Sequence, residues 1–451
     1  LVYPQVAELA FFIILNNIKE RIRMAKDTSP SCQNAIIYEI FVRNHSVAGN
    51  FDSVIADLDR IKALGVDIIW LMPVHPVGKE KRKGTLGSPY AITDYRSIND
   101  DYGTIESFIT LIQEIHARGM KVVMDIVYNH VAPDSTVVAE FPEWLKYDSK
   151  EMPTRKVADW TDVVDLDYSQ MALWDFQAET LKFWIQIGVD GFRCDVASML
   201  PVDFWRYVRE EITEAKKDVI WLAETVAPDF LLALRSQGHP LNSDCEMYEA
   251  FDMTYDYDGY YFLKQYLTEE IPLSEYVNYL LAQDFIYPVN YCKMRFLENH
   301  DQVRALELCE TEANHYNWTA FQIFLKGAFL LYAGQEIGAK AQCSLFEKDP
   351  ISWNEENTAF NLFVKRMIRL KKSDIVETGK FTLYPSFDFI AAKWELDGHG
   401  FFGIFNVEGI TGERKIYLPD GSYSNYLAKG KIDVKKGKVQ MQEMPIILRY
   451  S

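Results

Sequence analysis

The sequence predicts an α/β fold: a (β/α)8 barrel of the TIM type with a short insertion after its third strand and a C-terminal antiparallel β domain. Three observations predict it. Three stretches share one plan of amphipathic helix, glycine and short apolar strand: IKALGVDIIWLMP from Ile61, IHARGMKVVMDIVYNH from Ile115 and IQIGVDGFRCD from Ile185. Eight strand-like runs alternate with helical ones between about residues 30 and 375, and no glycine-rich phosphate loop follows the first, so a closed barrel fits better than an open doubly wound sheet. After Val376 the pattern becomes period-two runs separated by the turn signals DGHG, PDGS and KKGK.

The elements follow in order. Residues 1–30 read as an N-terminal leader segment; its apolar tract Leu9–Leu15 is too short to cross a bilayer and lacks the flanks of a secretion signal. Met24, opening MAKDTSP, is an alternative start. The barrel takes residues 31–130 and 170–375, with strands expected in IIYEIFV from Ile36, then at Val66, Lys121, Val189 and Val219, in CEMYEAF from Cys245, in CKMRFLE from Cys292 and in AFLLYAG from Ala328. Gly65, Gly119 and Gly188 sit where a left-handed helix cap is wanted, and Ile105, Phe108, Ile109, Ile112 and Ile115 keep helical spacing before the second of them. Residues 131–169, rich in Pro, Asp and Trp, form an insertion that overhangs the catalytic face. Residues 376–451 form a β-sandwich without a cluster of Asp, Glu and His, which reads as a stabilising cap.

Composition narrows the function classes. The 451 residues carry a formal net charge of −18 and no concentrated basic segment, which argues against nucleic acid as a partner. No stretch reads as a membrane span. The aromatic share of 14% leaves rings for stacking surfaces as well as core. Cys32, Cys194, Cys245, Cys292, Cys309 and Cys343 are widely spaced, without CxxC or zinc-like patterns, so free thiols in a cytoplasmic protein are the simplest reading.

Barrel enzymes place their chemistry where strands end. Asp125, Asp195, Glu224 and Asp301 end apolar runs. In GFRCDVAS, Arg193 and Asp195 are two apart and point the same way, leaving Cys194 on the packing face. Arg193 would favour an ionised Asp195, whereas Glu224 among like charges would tend to keep its proton. One ionised and one protonated acid at the ends of neighbouring strands make a glycosidase pair.

Four motifs then carry a resemblance. DIVYNH (Asp125–His130), GFRCDVAS (Gly191–Ser198), WLAET (Trp221–Thr225) and FLENHDQVR (Phe296–Arg304) are similar, in order and spacing, to those of the α-amylase family, glycoside hydrolase family 13, across about residues 35–450. The resemblance implies Asp195 as nucleophile, Glu224 as general acid/base and Asp301 as the carboxylate that steadies the distorted sugar. It implies that Tyr90 stacks on that sugar, that His130, Arg193 and His300 hold it, that Asp125 braces Arg193, and that Arg304 lies near the same subsite.

The implied activity is retaining hydrolysis of α-glucosidic bonds, mainly α-1,4, in maltooligosaccharides or other α-glucans. The VASM run after Asp195 lacks the Lys-His pair of many starch-degrading relatives, and Val196 resembles the 1,6-bond hydrolases and neopullulanases. An oligo-α-1,6-glucosidase, a neopullulanase-like enzyme and a transglycosylase are therefore the alternatives. The chemistry requires no cofactor. Asn129 matches a calcium ligand of the family and Asp165 matches another, although Met199 stands where a companion histidine is usual; Asn129 hydrogen-bonding to backbone is the other reading. DYDG at Asp256–Gly259 lacks a glutamate at the twelfth position and reads as a turn. A metal-dependent barrel hydrolase would want several histidines, which the first strand lacks. A catalytically silent sugar-binding barrel would lack the acids that are present here.

Overall fold

In the computed structural model, residues 30–353, 358–385 and 388–451 are described; the expectations for the leader helix and Met24 lie outside them. Strands β1 (Ile36–Ile40), β2 (Ile68–Leu71) and β3 (Lys121–Ile126) open the fold. A two-residue ribbon, β4 (His130–Val131) against β5 (Val164–Asp165), brackets the insertion. Then come β6 (Gly191–Cys194), β7 (Ile220–Ala223), β8 (Met253–Tyr255), β9 (Lys293–Arg295) and β10 (Ala328–Tyr332). The eight strands other than β4 and β5 close a parallel barrel in the order β1-β10-β9-β8-β7-β6-β3-β2, sealed where Ile36 pairs with Phe329 and Ile37 with Ile68.

The helix–glycine–strand plan has a local cause. Ile105–Ala117 starts at a capping box, in which Thr104 and Ser107 each bond the other's backbone N–H, and buries Phe108, Leu111, Ile112 and Ile115. Gly119 then turns the chain at φ 66°, a conformation that disfavours a side chain, and β3 follows two residues later. Strands covered on both faces need no alternation, and all four residues of β2, β6 and β7 are buried.

Two readings are corrected. CEMYEAF is not a strand: Asp244–Met247 is a short helix whose Ser243–Glu246 capping box starts it, and the sixth barrel strand is the three-residue Met253–Tyr255. DYDG is not a turn either. Asp256 is the N-cap of the helix Tyr257–Leu267, and its carboxylate meets Arg295 at 2.6 Å while that of Asp258 meets Lys293 at 2.8 Å.

Eight further strands make the C-terminal part. They are β11 (Lys380–Tyr384), β12 (Ile390–Leu396), β13 (His399–Phe405), β14 (Glu413–Lys415), β15 (Gly421–Asn425), β16 (Lys431–Val434), β17 (Lys438–Gln440) and β18 (Ile446–Tyr450). Six form one antiparallel sheet, β11-β12-β13-β18-β15-β16, and β14 pairs with β17. Phe402, Ile404, Val434 and Leu448 share a core separate from that of the barrel. The sheet docks on the helix Glu312–Phe324: Trp394 donates to the Phe324 carbonyl at 2.7 Å and Asn406 N–H to Asn317 at 2.8 Å. Among the described residues all six cysteines are unpaired, and no helix is long and apolar enough to cross a membrane.

Candidate active site at the carboxyl ends of the barrel strands

The site is organised around one buried cation. Arg193, on β6, is fully buried, and register places it directly opposite Asp125 of β3. Its Nη1 donates to Asp125 Oδ1 at 3.0 Å and to Asp195 Oδ1 at 2.8 Å, and its Nη2 lies 3.0 Å from Glu224 Oε1 beyond β7. Trp70, Tyr90 and Tyr255 present their rings to the guanidinium at 5.1, 5.6 and 5.6 Å. Cys194 is buried on the opposite face, as the strand's alternation requires.

Immediately after Asp195 the backbone is strained. Val196 has φ 36°, a left-handed conformation costly for a β-branched residue, and its N–H donates to Glu224 Oε2 at 2.6 Å. The turn thus ties the backbone beside one acid to the carboxylate of the other.

A second cluster faces the first. His300 Nδ1–H donates to Glu39 Oε1 at 2.5 Å, and its Nε2 lies 2.7 Å from the Tyr90 hydroxyl and 3.1 Å from Asp301 Oδ2. The Tyr90 hydroxyl passes the chain on to Asp125 Oδ2 at 3.2 Å, and its ring stacks on His300 at 5.4 Å. Asn299 Oδ1 holds the Asp301 N–H at 2.9 Å. His130 is buried at the foot of the insertion, against Trp160 at 5.2 Å, and Trp160 in turn stacks near Phe230 at 6.4 Å.

Charge follows from this packing. Burial, then the facing Glu224, pushes the Asp195 carboxyl well above the usual carboxylate range; Arg193 opposes the shift without cancelling it. Asp125 is pushed up to about 7, again by burial first. Arg193 favours the ionised Asp195, as expected, but one guanidinium serves three acids and burial acts the other way. Burial lowers His300, but Asp301 and Glu39 outweigh it and hold the imidazolium form well above its ordinary range. Burial also acts to raise Asp301, and His300 reverses it, so that carboxylate stays below its ordinary value. His130 is driven down to about 4 by burial and is neutral.

Tyr90, Asp125, Arg193, Asp195, Glu224, His300 and Asp301 thus come together. Arg304 does not join them. Its guanidinium is fully buried and spent on Glu298 at 2.6 Å and on the carbonyls of Ala333 and Ala341 at 3.1 Å, so it braces the loop after β9 rather than reaching a sugar. Asn129 and Asp165 meet each other beside His130, Nδ2 to Oδ1 at 3.4 Å. The residue missed by sequence reasoning is Glu39, whose only signal is a lone acid in the buried run IIYEI.

Carboxylates gathered at strand ends around a fully enclosed arginine, with aromatic rings and no nucleophilic thiol, define a sugar-cleaving barrel. The comparisons agree. The family model described as "Alpha amylase, catalytic domain" matches residues 33–163 and 144–375, and that of "Bacterial Alpha amylase C-terminal domain" matches residues 382–448. The chain belongs to the alpha-amylase family. An alpha-amylase of known structure from Lactobacillus plantarum is 41% identical, covers 94% of this chain and 100% of its own, and superposes with a TM-score of 0.90. A curated alpha-amylase from Haloarcula japonica is 29% identical over 76% of this chain and 49% of its own. An alpha-1,4-glucan:maltose-1-phosphate maltosyltransferase from Picrophilus torridus is 28% identical over 52% and 41%. The chain spans about half the length of these curated relatives or less.

Proposed function

We propose that this protein is a retaining hydrolase of α-glucosidic bonds, chiefly α-1,4 bonds in maltooligosaccharides, that works through a covalent glycosyl-enzyme intermediate. The observation that carries the reading is the single guanidinium in contact with both Asp195 and Glu224. Acids drawn to one small cation suit the short separation of a double displacement, whereas an inverting pair leaves room for a water between them.

In this reading Asp195 attacks the anomeric carbon while Glu224 protonates the departing glucosidic oxygen. The C–O bond breaks, and a glycosyl ester forms on Asp195. Glu224, now ionised, takes a proton from water, whose oxygen attacks the same carbon and releases Asp195. Two inversions restore the α configuration. The first step needs one acid and one carboxylate, and the reading gives the proton to Glu224 and the charge to Asp195 beside Arg193. His300 and Asp301 would hold the sugar hydroxyls, Tyr90 its face, and the half-exposed Trp160 and Phe230 the next sugar along. The six unpaired thiols support a reducing, cytoplasmic setting.

The test is digestion of maltoheptaose, isomaltotriose and panose with products resolved over time. Shorter maltooligosaccharides from maltoheptaose are expected. Preference for isomaltotriose or panose would replace the reading with the 1,6-glucosidase one, and products longer than the starting sugar would replace it with transfer, which the maltosyltransferase relative keeps as the second reading.

Glu39 gives a prediction with a pH signature. Glu39→Gln keeps an acceptor for His300 Nδ1–H but removes one of the two charges, after Asp301, that raise the imidazolium. His300 should then lose its proton at lower pH, so the alkaline limb of kcat/KM moves down. Activity near pH 8 should fall by about tenfold, with a smaller loss at pH 6. Equal loss at both would contradict the role given to His300.

A further inference from the structure

The junction between the insertion and the barrel holds a cation of its own. Asp165 is fully buried on β5, and its Oδ2 meets the Lys156 ammonium at 2.9 Å and the Lys156 N–H, also at 2.9 Å. Only 8% of the lysine side chain is exposed, so this is an enclosed pair rather than a surface one. The other oxygen, Oδ1, accepts from Asn129 Nδ2, which also lies 3.0 Å from His130 Nδ1. A carboxylate only accepts, so the amide must turn its NH2 toward Asp165 and leave Oδ1 on the far side. That Asn129 Oδ1 is buried without a partner.

This donor set does not fit calcium, which takes six to eight oxygens with carboxylates among them. One carboxylate meets Asn129, and both its oxygens are engaged by N–H groups. Among the described residues no three His, Cys, Asp or Glu side chains converge as a metal site. A cavity of about 580 Å³ reaches Lys156 and is lined by both signs of charge, Lys146 as well as Asp167, Asp203, Glu246 and Glu249.

We propose that the Lys156 ammonium is the built-in cation of this junction: it neutralises Asp165, and through Asp165 and Asn129 it fixes His130 at the edge of the site, in place of calcium. The chain Lys156–Asp165–Asn129–His130 leaves the imidazole Nδ1 as an acceptor and so sets its N–H at Nε2. The strand pair His130↔Asp165 locks the two ends in register, so losing the ammonium would strand a buried carboxylate one step from His130. Lys156 is in this sense a positioning residue.

The test compares the full chain with Lys156→Ala and Lys156→Arg, each with EDTA and with millimolar calcium, by thermal melting, by calorimetric titration of calcium and by kcat/KM on maltoheptaose. The activity arm rests on the hydrolase reading above; melting and calorimetry do not, so the two can fail separately. Wild type should show no calcium heat and the same Tm in EDTA and calcium. Lys156→Ala should melt several degrees lower and lose about 10–100-fold in kcat/KM, in calcium as in EDTA, while Lys156→Arg keeps most of both. A wild type that loses Tm in EDTA and recovers it with calcium would overturn the proposal. So would a Lys156→Ala protein that matches wild type in Tm and kcat/KM. If Lys156→Ala does not fold, the wild-type melts and titration decide alone.

Discussion

Asp195→Asn is expected to lower kcat on maltoheptaose by roughly 10⁴-fold or more while raising, not lowering, thermal stability. The loss follows from removing the attacking oxygen in a site where no other carboxylate stands beside Arg193 in the same way: Asp125 is tied to the Tyr90 hydroxyl and Glu224 to the Val196 N–H. The gain follows from the crowding of acids. Asp195 titrates well above its ordinary range in the folded chain because burial and Glu224 disfavour its charge. A carboxyl raised on folding contributes most at pH values below its unfolded pKa, and that contribution is lost as pH rises toward the folded one. The amide carries no such penalty. The Tm advantage of Asp195→Asn should therefore widen from pH 5 to pH 8, as differential scanning calorimetry at both would show; a fall in Tm at both would mean that the hydrogen bond to Arg193 outweighs the repulsion.

Arg193→Ala should be the most damaging substitution in the barrel. It removes a fully buried cation in contact with three carboxylates. Truncating one partner of a buried ionic cluster costs about 3–5 kcal/mol, a fall in Tm of roughly 3–5 °C for a chain of this size. Activity should vanish with it, since nothing then draws Asp195 and Glu224 together. Two companion measurements separate electrostatics from lost packing. Without the guanidinium nothing offsets the burial that raises Asp125 and Asp195, so the defect should shrink at pH 5, where they take up protons. Adding Asp125→Asn should also recover part of the Tm lost by Arg193→Ala. Arg193→Lys keeps a charge but presents a single ammonium instead of a fork, so it should fold better than the alanine variant yet remain about 10³-fold impaired. If the double variant were as unstable as Arg193→Ala, the loss would be one of packing.

Much of this was legible in the sequence because a barrel turns strand ends into a site. Arg193 and Asp195 were readable from alternation and Asp125 from its place at the end of an apolar run, and the structure puts Asp125 and Arg193 side by side across β3 and β6. The sixth strand was not, because CEMYEAF alternates like a strand while the true one is only three residues long. Its neighbour Asp244 is spent on the ammonium of Lys293, a pairing across some fifty positions that no local pattern displays. Arg304 illustrates the same limit. A motif fixes where its backbone runs, but whether the guanidinium faces a cleft or Glu298 depends on which acid the fold brings near. Glu39 was invisible for the opposite reason: its partner His300 comes from the other side of the barrel seam. The upward shift of Asp195 also lay beyond the sequence, since it depends on burial and on how many acids share one cation.

The central claim is double displacement at Asp195, and the most direct measurement is the configuration of the first-formed product. Proton NMR of maltoheptaose digestion, followed faster than mutarotation, should show the α-anomeric signal of the new reducing ends first, with the β signal growing in later. The β anomer appearing first would contradict the account. It would mean a single displacement by water, with Asp195 acting as a base and not as the nucleophile.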